Sequence, residues 1–112
     1  GVLQPSKKDQ EVTTIHLGEE VVLDAISLTP VSSSKGNQSE LTVSVKNHAE
    51  LPLSAGAGWD VVALREDGST VEAEIDGASV GAHASGLITL SAQGNVSSWR
   101  IKTGHSVINV IN

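Results

Sequence analysis

The sequence predicts an all-β fold, an antiparallel sandwich of about seven or eight short strands. First, the chain of 112 residues contains 14 Val, seven Ile and seven Thr, and branched side chains pack well on pleated sheets. Second, several stretches alternate in polarity and are separated by turn-forming Gly, Asn and Asp residues. Third, no segment shows sustained helical spacing of apolar residues.

The fold is organised around residues 39–52, which contain the clearest half-buried strand. Apolar and polar residues alternate there, and a period of two places them on opposite faces of a strand. The apolar set is Leu41, Val43 and Val45, and the polar set is Thr42, Ser44 and Lys46. Asn47-His48 then breaks the pattern, and Pro52 has no N–H to donate to a ladder.

The stretch before this strand predicts a hairpin or bent strand over residues 12–28, with the bend at Gly18. Val21-Val22-Leu23 is apolar on both faces, which favours a central strand or a bulge. Thr29-Pro30 is expected to end the strand because proline donates no ladder hydrogen bond. Val31 leads into residues 32–37, three Ser followed by Lys, Gly and Asn, which predict a long loop.

The second half predicts five more strands joined by turns. Residues 49–58 and 76–85 predict long connections, and Glu66-Asp67-Gly68-Ser69 predicts a tight reversal because Asp-Gly readily supplies positive φ. Residues 107–111 are apolar on both faces and predict a central strand; at an edge they would instead form a pairing surface. The predicted strands cover residues 59–65, 70–75, 87–91, 96–102 and 107–111.

Length and composition indicate one domain over residues 12–112, preceded by a polar arm or tether over residues 1–11.

Composition also excludes several classes of function. A net charge of −6 with scattered Lys and Arg argues against a nucleic-acid partner. No stretch approaches the roughly 20 apolar residues that span a bilayer. Without Cys, disulfides and thiolate chemistry are excluded.

No pattern in the sequence predicts an enzyme. Nucleophile elbows, phosphate loops and framed pairs of catalytic carboxylates are absent from the sequence. Trp59 and Trp99 are expected in the core, where they would be the largest side chains. The alternative is an exposed, coplanar pair that binds sugars.

Histidines give the one chemical signal in the sequence. In an antiparallel fold every second connection lies at the same end, which groups the loops around Gly18 and those holding His48, His83 and His105. His16 lies just before the first of these loops. Because imidazole is a preferred ligand of zinc and copper, His48, His83 and His105 form a candidate metal site, which Glu50 or Asp76 would complete. The alternative is that each is an exposed loop histidine.

The order of features also resembles a known family. The relevant residues are Val43, Val45, Lys46 and Asn47; Trp59, Asp67 and Gly68; and Gly86, Ile88 and Leu90. In this order they resemble the telokin-like, immunoglobulin-like domains of secreted and lipid-anchored Gram-positive bacterial proteins, over residues 17–101. The resemblance implies an exported immunoglobulin-like sandwich, without catalytic residues to carry over. The family has an aromatic residue where this chain has Leu90.

Together these observations favour a non-enzymatic, extracytoplasmic interaction module that binds a protein or cell-envelope partner through its loops. The expected location is extracellular or at the cell surface, with the N-terminal arm as the tether, as in a lipoprotein. No cofactor is expected for this function. The alternative function is a metal-binding domain that holds zinc or copper with the loop histidines, and a third is a structural spacer in a longer surface protein.

Overall fold

Twelve strands form within residues 11–112, the part of the chain that this computed structural model describes. Seven of them have six or more residues, in agreement with the predicted number, and five have three residues. The strands are β1 (Glu11–His16), β2 (Val21–Leu23), β3 (Ile26–Ser34), β4 (Gln38–Asn47), β5 (Leu53–Ala55), β6 (Asp60–Arg65), β7 (Thr70–Glu72), β8 (Glu74–Asp76), β9 (Ala78–Val80), β10 (Ser85–Gln93), β11 (Val96–Thr103) and β12 (Ser106–Ile111).

The strands form two five-stranded sheets and one two-stranded ribbon. Sheet I has the order β1-β12-β11-β6-β7, sheet II has the order β2-β3-β4-β10-β8, and the ribbon pairs β5 with β9. Every pairing among the described residues is antiparallel except that of β1 with β12, which is parallel. The predicted all-β sandwich is therefore confirmed, with one parallel pair that the sequence did not predict.

The core lies between the two sheets and is built from inward-facing aliphatic residues. On β4 the predicted alternation is confirmed: Leu41, Val43 and Val45 are at most 1% exposed. Trp99 is fully buried, as predicted for a core tryptophan, whereas Trp59 is partly buried against the core. The alternative prediction, that Trp59 and Trp99 form an exposed pair that binds sugars, is therefore wrong. Each buried aliphatic side chain stabilises the fold by about 1.5–3 kcal/mol.

The predicted hairpin over residues 12–28 is wrong. β1 joins sheet I beside β12, whereas β2 pairs with β3 in sheet II, so the connection at Gly18 crosses between the sheets. Gly18 has a φ of +87°, and its N–H donates to the carbonyl of Pro30 at 2.7 Å. Val22, expected on a central strand, lies on the edge strand β2 and is 68% exposed.

The prediction that Pro30 ends its strand is also wrong. Pro30 lies within β3, opposite Val43, and the register shifts between Pro30 and Ser32. Val31 is thus the extra residue of a bulge, one of the few places where a sheet accepts a residue without an N–H. β3 continues to Ser34, so the loop is shorter than predicted.

The reversal after β6 is confirmed, and the strand that follows it divides. Gly68 has a φ of +91°, and the N–H of Arg65 donates to the carbonyl of Ser69 at 2.8 Å. The predicted alternation over residues 70–75 is present, but β7 belongs to sheet I and β8 to sheet II. The strand changes sheets at Ala73, whose N–H donates to the carbonyl of Val61.

The remaining predictions concern the termini and the long connections. β12 lies between β1 and β11, so residues 107–111 form a central strand as predicted. Both long connections contain one strand of the ribbon. Of the predicted arm, residues 1–10 lie outside the described residues, and Glu11 begins β1. Within residues 11–112 no helix is long and apolar enough to cross a membrane.

Candidate functional site

Three histidines lie at one end of the sandwich, hereafter the histidine end, which comprises residues 24–25, 48–52, 81–84 and 104–105. β4 ends and β10 begins at this end, where Lys46 pairs with Ser85. β10 and β11 join at the opposite end through residues 94–95, so β11 runs back to the histidine end and turns there into β12. His48, His83 and His105 therefore share an end, as the alternation of strand direction predicted.

His16 lies at the opposite end. Because β1 runs parallel to β12, its first residue pairs with Ser106 and its last, His16, pairs with Ile111. The rule that every second connection shares an end assumes antiparallel neighbours, and this one parallel pair breaks it. His16 instead interacts with Glu19: its backbone N–H donates to Glu19 Oε1 at 2.7 Å. This hydrogen bond, and a weaker one from the ring, lower the pKa of Glu19.

Buried Asn47 fixes the backbone at the histidine end. Its side-chain N–H₂ group donates to the carbonyl of Leu51 at 2.8 Å and to those of Val80 and Gly81 at 3.2 Å. Its Oδ1 accepts from the N–H of Ala49 at 2.9 Å. One side chain thus holds the loop after β4 against the loop before β10, and both loops keep a defined position.

His83 and Glu50 join these two loops at the surface. Nε2 of His83 lies 2.8 Å from Oε2 of Glu50, and the two side chains are 57% and 86% exposed. Exposed pairs of this kind add little stability. His83 also has a φ of +60°, a left-handed conformation that is uncommon for a residue with a Cβ.

His48 is positioned by a different contact. Its Nε2 lies 2.9 Å from Oγ of Ser27, and Ser27 is only 2% exposed. Ser27 faces outward from sheet II, opposite Lys46, so His48 folds back over the outer surface of that sheet. His48 and His83 therefore each have their own partner.

His105 lines a cleft of about 400 Å³ between two hairpins. The β2–β3 hairpin of sheet II supplies one wall, and the β11–β12 hairpin of sheet I supplies the other. Gly104, with a φ of +60°, makes the two-residue turn that carries His105. The lining residues are Val22, Leu23, Asp24, Ile26, Thr103, Gly104, His105 and Ser106.

This cleft combines an apolar floor with a few polar groups. Leu23 and Ile26 are partly buried against the core, whereas Asp24 and His105 are exposed. Asp24 was missed because the sequence predicted a continuous strand over residues 20–28. The signal that could have identified it is the Asp itself, a turn-forming residue between two apolar runs. A cleft of this size is large enough to hold a small ligand or a side chain of a partner.

Of the residues predicted to bind a metal, only His83 and Glu50 are in contact. Within residues 11–112 no group of three or more His, Asp or Glu side chains is arranged to hold a metal ion. Glu50 contacts His83, whereas Asp76 pairs with Thr89 in the middle of β10, away from the histidine end. A metal site formed by His48, His83 and His105 stays a prediction, and it requires the loops to move together.

Comparison with known proteins identifies the fold. A β-sandwich protein of Clostridium difficile 630, described as uncharacterized, superposes with a TM-score of 0.73 at 9% sequence identity, over 96% of this chain and 99% of that one. MPT63, a secreted protein of Mycobacterium tuberculosis, superposes with a TM-score of 0.62 at 14% identity, over 88% of this chain and 96% of that one. The chain is an immunoglobulin-like β-sandwich.

Sequence comparison does not assign the chain to a family. No family model matches the chain, and no curated protein matches it. The structural likenesses lie below the identity at which function can be transferred, so they establish the fold alone. The finer resemblance to telokin-like domains stays a prediction.

Proposed function

We propose that this domain is a non-enzymatic, extracytoplasmic interaction module that binds a cell-envelope or protein partner at the histidine end. The cleft between the β2–β3 and β11–β12 hairpins is the observation that supports this function. It offers about 400 Å³ of space with polar groups at its rim and an apolar floor. Loops held on a rigid sandwich are a common way to present a binding surface.

The fixed backbone at this end supports binding without large rearrangement. Asn47 fixes the loop after β4 and the loop before β10. The N–H of His48 donates to the carbonyl of Ala25, in the β2–β3 turn beside the cleft, at 2.8 Å. Leu51, in the same group of loops, is 75% exposed. A pre-ordered surface loses little conformational entropy on binding, and an exposed leucine contributes apolar contact area.

The direction of β1 bears on the kind of partner. Glu11 pairs with Ser106, so the chain enters the domain at the histidine end. A tether attached there would hold the cleft close to the surface to which it is anchored. We therefore propose a cell-envelope component as the partner, in preference to a soluble protein. Export is supported by the secreted neighbour MPT63 and by the resemblance to telokin-like domains, and lipid anchoring is part of the same proposal.

Co-sedimentation with purified Gram-positive cell-wall sacculi tests this proposal. We expect the wild-type domain to sediment with the sacculi and the variant Asp24→Ala to bind at least about tenfold more weakly, because Asp24 is the carboxylate of the cleft. Lys35→Ala is the matched control, since Lys35 pairs with Glu66 at the opposite end. Equal retention of Asp24→Ala and wild type would show that the cleft is not the binding surface.

Metal binding is the second candidate function. The observation that favours it is the 2.8 Å contact between His83 and Glu50 at the end that also carries His48 and His105. An imidazole and a carboxylate are two of the ligand types that zinc binds. Binding would release the hydrogen bond between these groups and recruit a further histidine.

A further inference from the structure

Of the edge strands that the structure describes in the two large sheets, β1 is the longest. The edge strands are β1 and β7 in sheet I and β2 and β8 in sheet II. β2, β7 and β8 have three residues each, and a very short edge strand is one of the ways in which proteins prevent unwanted pairing. β1 has six residues, and it contains no proline, lysine or bulge along its continuous register with β12. β1 is therefore an edge at which a further strand can pair.

The backbone groups of Val12 and Thr14 face away from β12. At the end of β1 the N–H of His16 donates to Glu19 Oε1 at 2.7 Å, and the carbonyl of His16 accepts from the N–H of Glu19 at 3.1 Å. Both groups of His16 thus point to the free side of β1, and every second residue of a strand points its backbone groups to the same side. Among the described residues, no backbone group outside β12 bonds to Val12 or Thr14. The free edge therefore offers the N–H donors and carbonyl acceptors of both residues to a further strand.

The space beside β1 is open toward the core. Thr13 lies on the core-facing side of β1, opposite fully buried Ile108, yet Thr13 is exposed. Residues 17–20 connect β1 directly to β2, so the two edge strands lie on the same side of the sandwich. Val21 and Leu23 of β2 are only partly buried against the core. A strand added to β1 would place alternate side chains over these two residues, where apolar side chains gain most from burial.

The chain around this opening is acidic. Residues 12–34 contain three acidic residues and neither Lys nor Arg. Glu19 and Glu20 are exposed where the chain passes from β1 to β2, and Asp24 is exposed at the other end of β2. A strand that pairs with β1 should therefore carry cationic side chains near both of its ends. The same charges disfavour pairing with the β1 of a second copy, which brings further carboxylates and no Lys or Arg.

We propose that β1 binds an extended, basic peptide segment of a partner protein by strand addition, with the segment antiparallel to β1. Main-chain hydrogen bonds to Val12 and Thr14 supply affinity, and the alternate side chains supply specificity. The side chain opposite Thr13 is apolar and enters the opening between β1 and β2. Cationic side chains near the two ends of the segment lie close to Asp24 and to Glu19. Strand addition at β1 requires no ligand in the cleft between the hairpins.

Amide hydrogen exchange measured by NMR tests this pairing residue by residue. The probe is a blocked peptide of sequence Lys-Thr-Val-Thr-Val-Thr-Lys, and we expect it to bind with a Kd between about 10 µM and about 1 mM. At saturation the amides of Val12 and Thr14 should exchange at least about tenfold more slowly, because they become hydrogen-bonded. The amides of Thr13 and Ile15 face β12 and should change little. Equal slowing of all four amides, or no slowing at Val12 and Thr14, would overturn the proposal.

The controls separate strand addition from other contacts. Thr14→Pro removes one N–H from the free edge and should weaken binding at least about tenfold, whereas Thr14→Val keeps this N–H and should bind like wild type. Thermal unfolding shows whether Thr14→Pro folds; if it does not, the exchange pattern of wild type decides.

The charge of the probe and the protein concentration are varied in the same way. The peptide Glu-Thr-Val-Thr-Val-Thr-Glu should bind at least about tenfold more weakly than the basic peptide, and equal binding of the two would contradict a basic partner. Slow exchange of Val12 and Thr14 at high protein concentration without peptide would show that a second copy occupies the edge, and it would overturn the proposal.

Discussion

The side-chain N–H₂ group of Asn47 donates a hydrogen bond to the carbonyl oxygen of Val80 at 3.2 Å, which ties the last residue of β4 to the last residue of β9. Asn47 is fully buried, and its amide also contacts the backbone of Leu51, Gly81 and Ala49. The same residue thus belongs to the ladder of sheet II and defines the loops that carry His48 and His83.

Replacing Asn47 should therefore destabilise the domain and loosen the histidine end. Asn47→Ala leaves three carbonyls and one N–H without their partner, and we expect a loss of about 3 kcal/mol in the free energy of unfolding. Urea unfolding followed by Trp fluorescence measures this loss. Asn37→Ala, an exposed asparagine at the opposite end, is the control and should change stability by less than about 0.5 kcal/mol. Equal effects would contradict the assigned role.

Two neighbouring positions on β10 should respond very differently to the same substitution. Leu90 is fully buried in the core, whereas Leu87 is 61% exposed on the outer face of sheet II. Leu90→Ala should cost about 3 kcal/mol, since it removes buried methyl groups and leaves a cavity. Leu87→Ala should cost less than about 0.5 kcal/mol. Chemical denaturation of both variants measures the difference, and similar losses would mean that the register of β10 is wrong.

The sequence predicted the structure well where one face of a strand is buried and the other is exposed to solvent. The alternation of Leu41, Val43 and Val45 with polar neighbours identified β4, because a one-residue slip would expose the whole apolar set. The Asp67-Gly68 turn was equally predictable, because its positive φ is a local requirement. These signals depend only on residues adjacent in sequence.

Features that depend on distant partners were not predictable. Nothing within residues 11–16 indicates that β1 pairs in parallel with β12, almost 100 residues later, and this pairing places His16 away from the other histidines. Pro30 is accepted because a bulge opposite Val43 relieves the missing N–H. Strand direction alone predicted that His48, His83 and His105 lie at the same end. The positions of Ser27, Asn47 and Asp24 at that end depend on tertiary contacts, which the sequence does not show.

The turn after β6 should give a pH signature. Oδ1 of Asp67 accepts hydrogen bonds from the Ser69 hydroxyl at 2.6 Å and from its N–H at 2.9 Å, and these bonds lower the pKa of Asp67 from its usual value of 3.8. Because the folded pKa lies below the unfolded one, the stabilising contribution is complete above pH 3.8 and is lost as the pH falls through the folded pKa.

Carboxyl NMR measures this effect directly. In Ser69→Ala the hydroxyl is lost and only the backbone hydrogen bond remains, so the titration midpoint of Asp67 should rise. Ser54→Ala, in the distant strand β5, is the control and should leave that midpoint where it is in wild type. Identical midpoints in wild type and Ser69→Ala would show that the hydroxyl does not stabilise the carboxylate.

Zinc titration distinguishes the two candidate functions, because it reports on each histidine separately. Metal binding at the histidine end should shift the ring resonances of His83 first, together with those of His48 or His105. His16, at the opposite end and paired with Glu19, is an internal control within the same molecule and should not move. Glu50→Gln keeps the size of the side chain but removes its charge, and it should weaken zinc binding by about tenfold or more if Glu50 is a ligand.

The affinity should be modest even if zinc binds there, because the loops must leave their present contacts. His83 must give up its hydrogen bond to Glu50 or share that carboxylate with the metal, and His48 must leave Ser27, which is buried. Ser27→Ala removes the competing contact of His48 and should therefore strengthen binding if His48 is a ligand. Resonances that do not move at micromolar zinc, or that move equally at His16, would contradict a metal site at this end and leave the cleft beside His105 as the feature on which function depends.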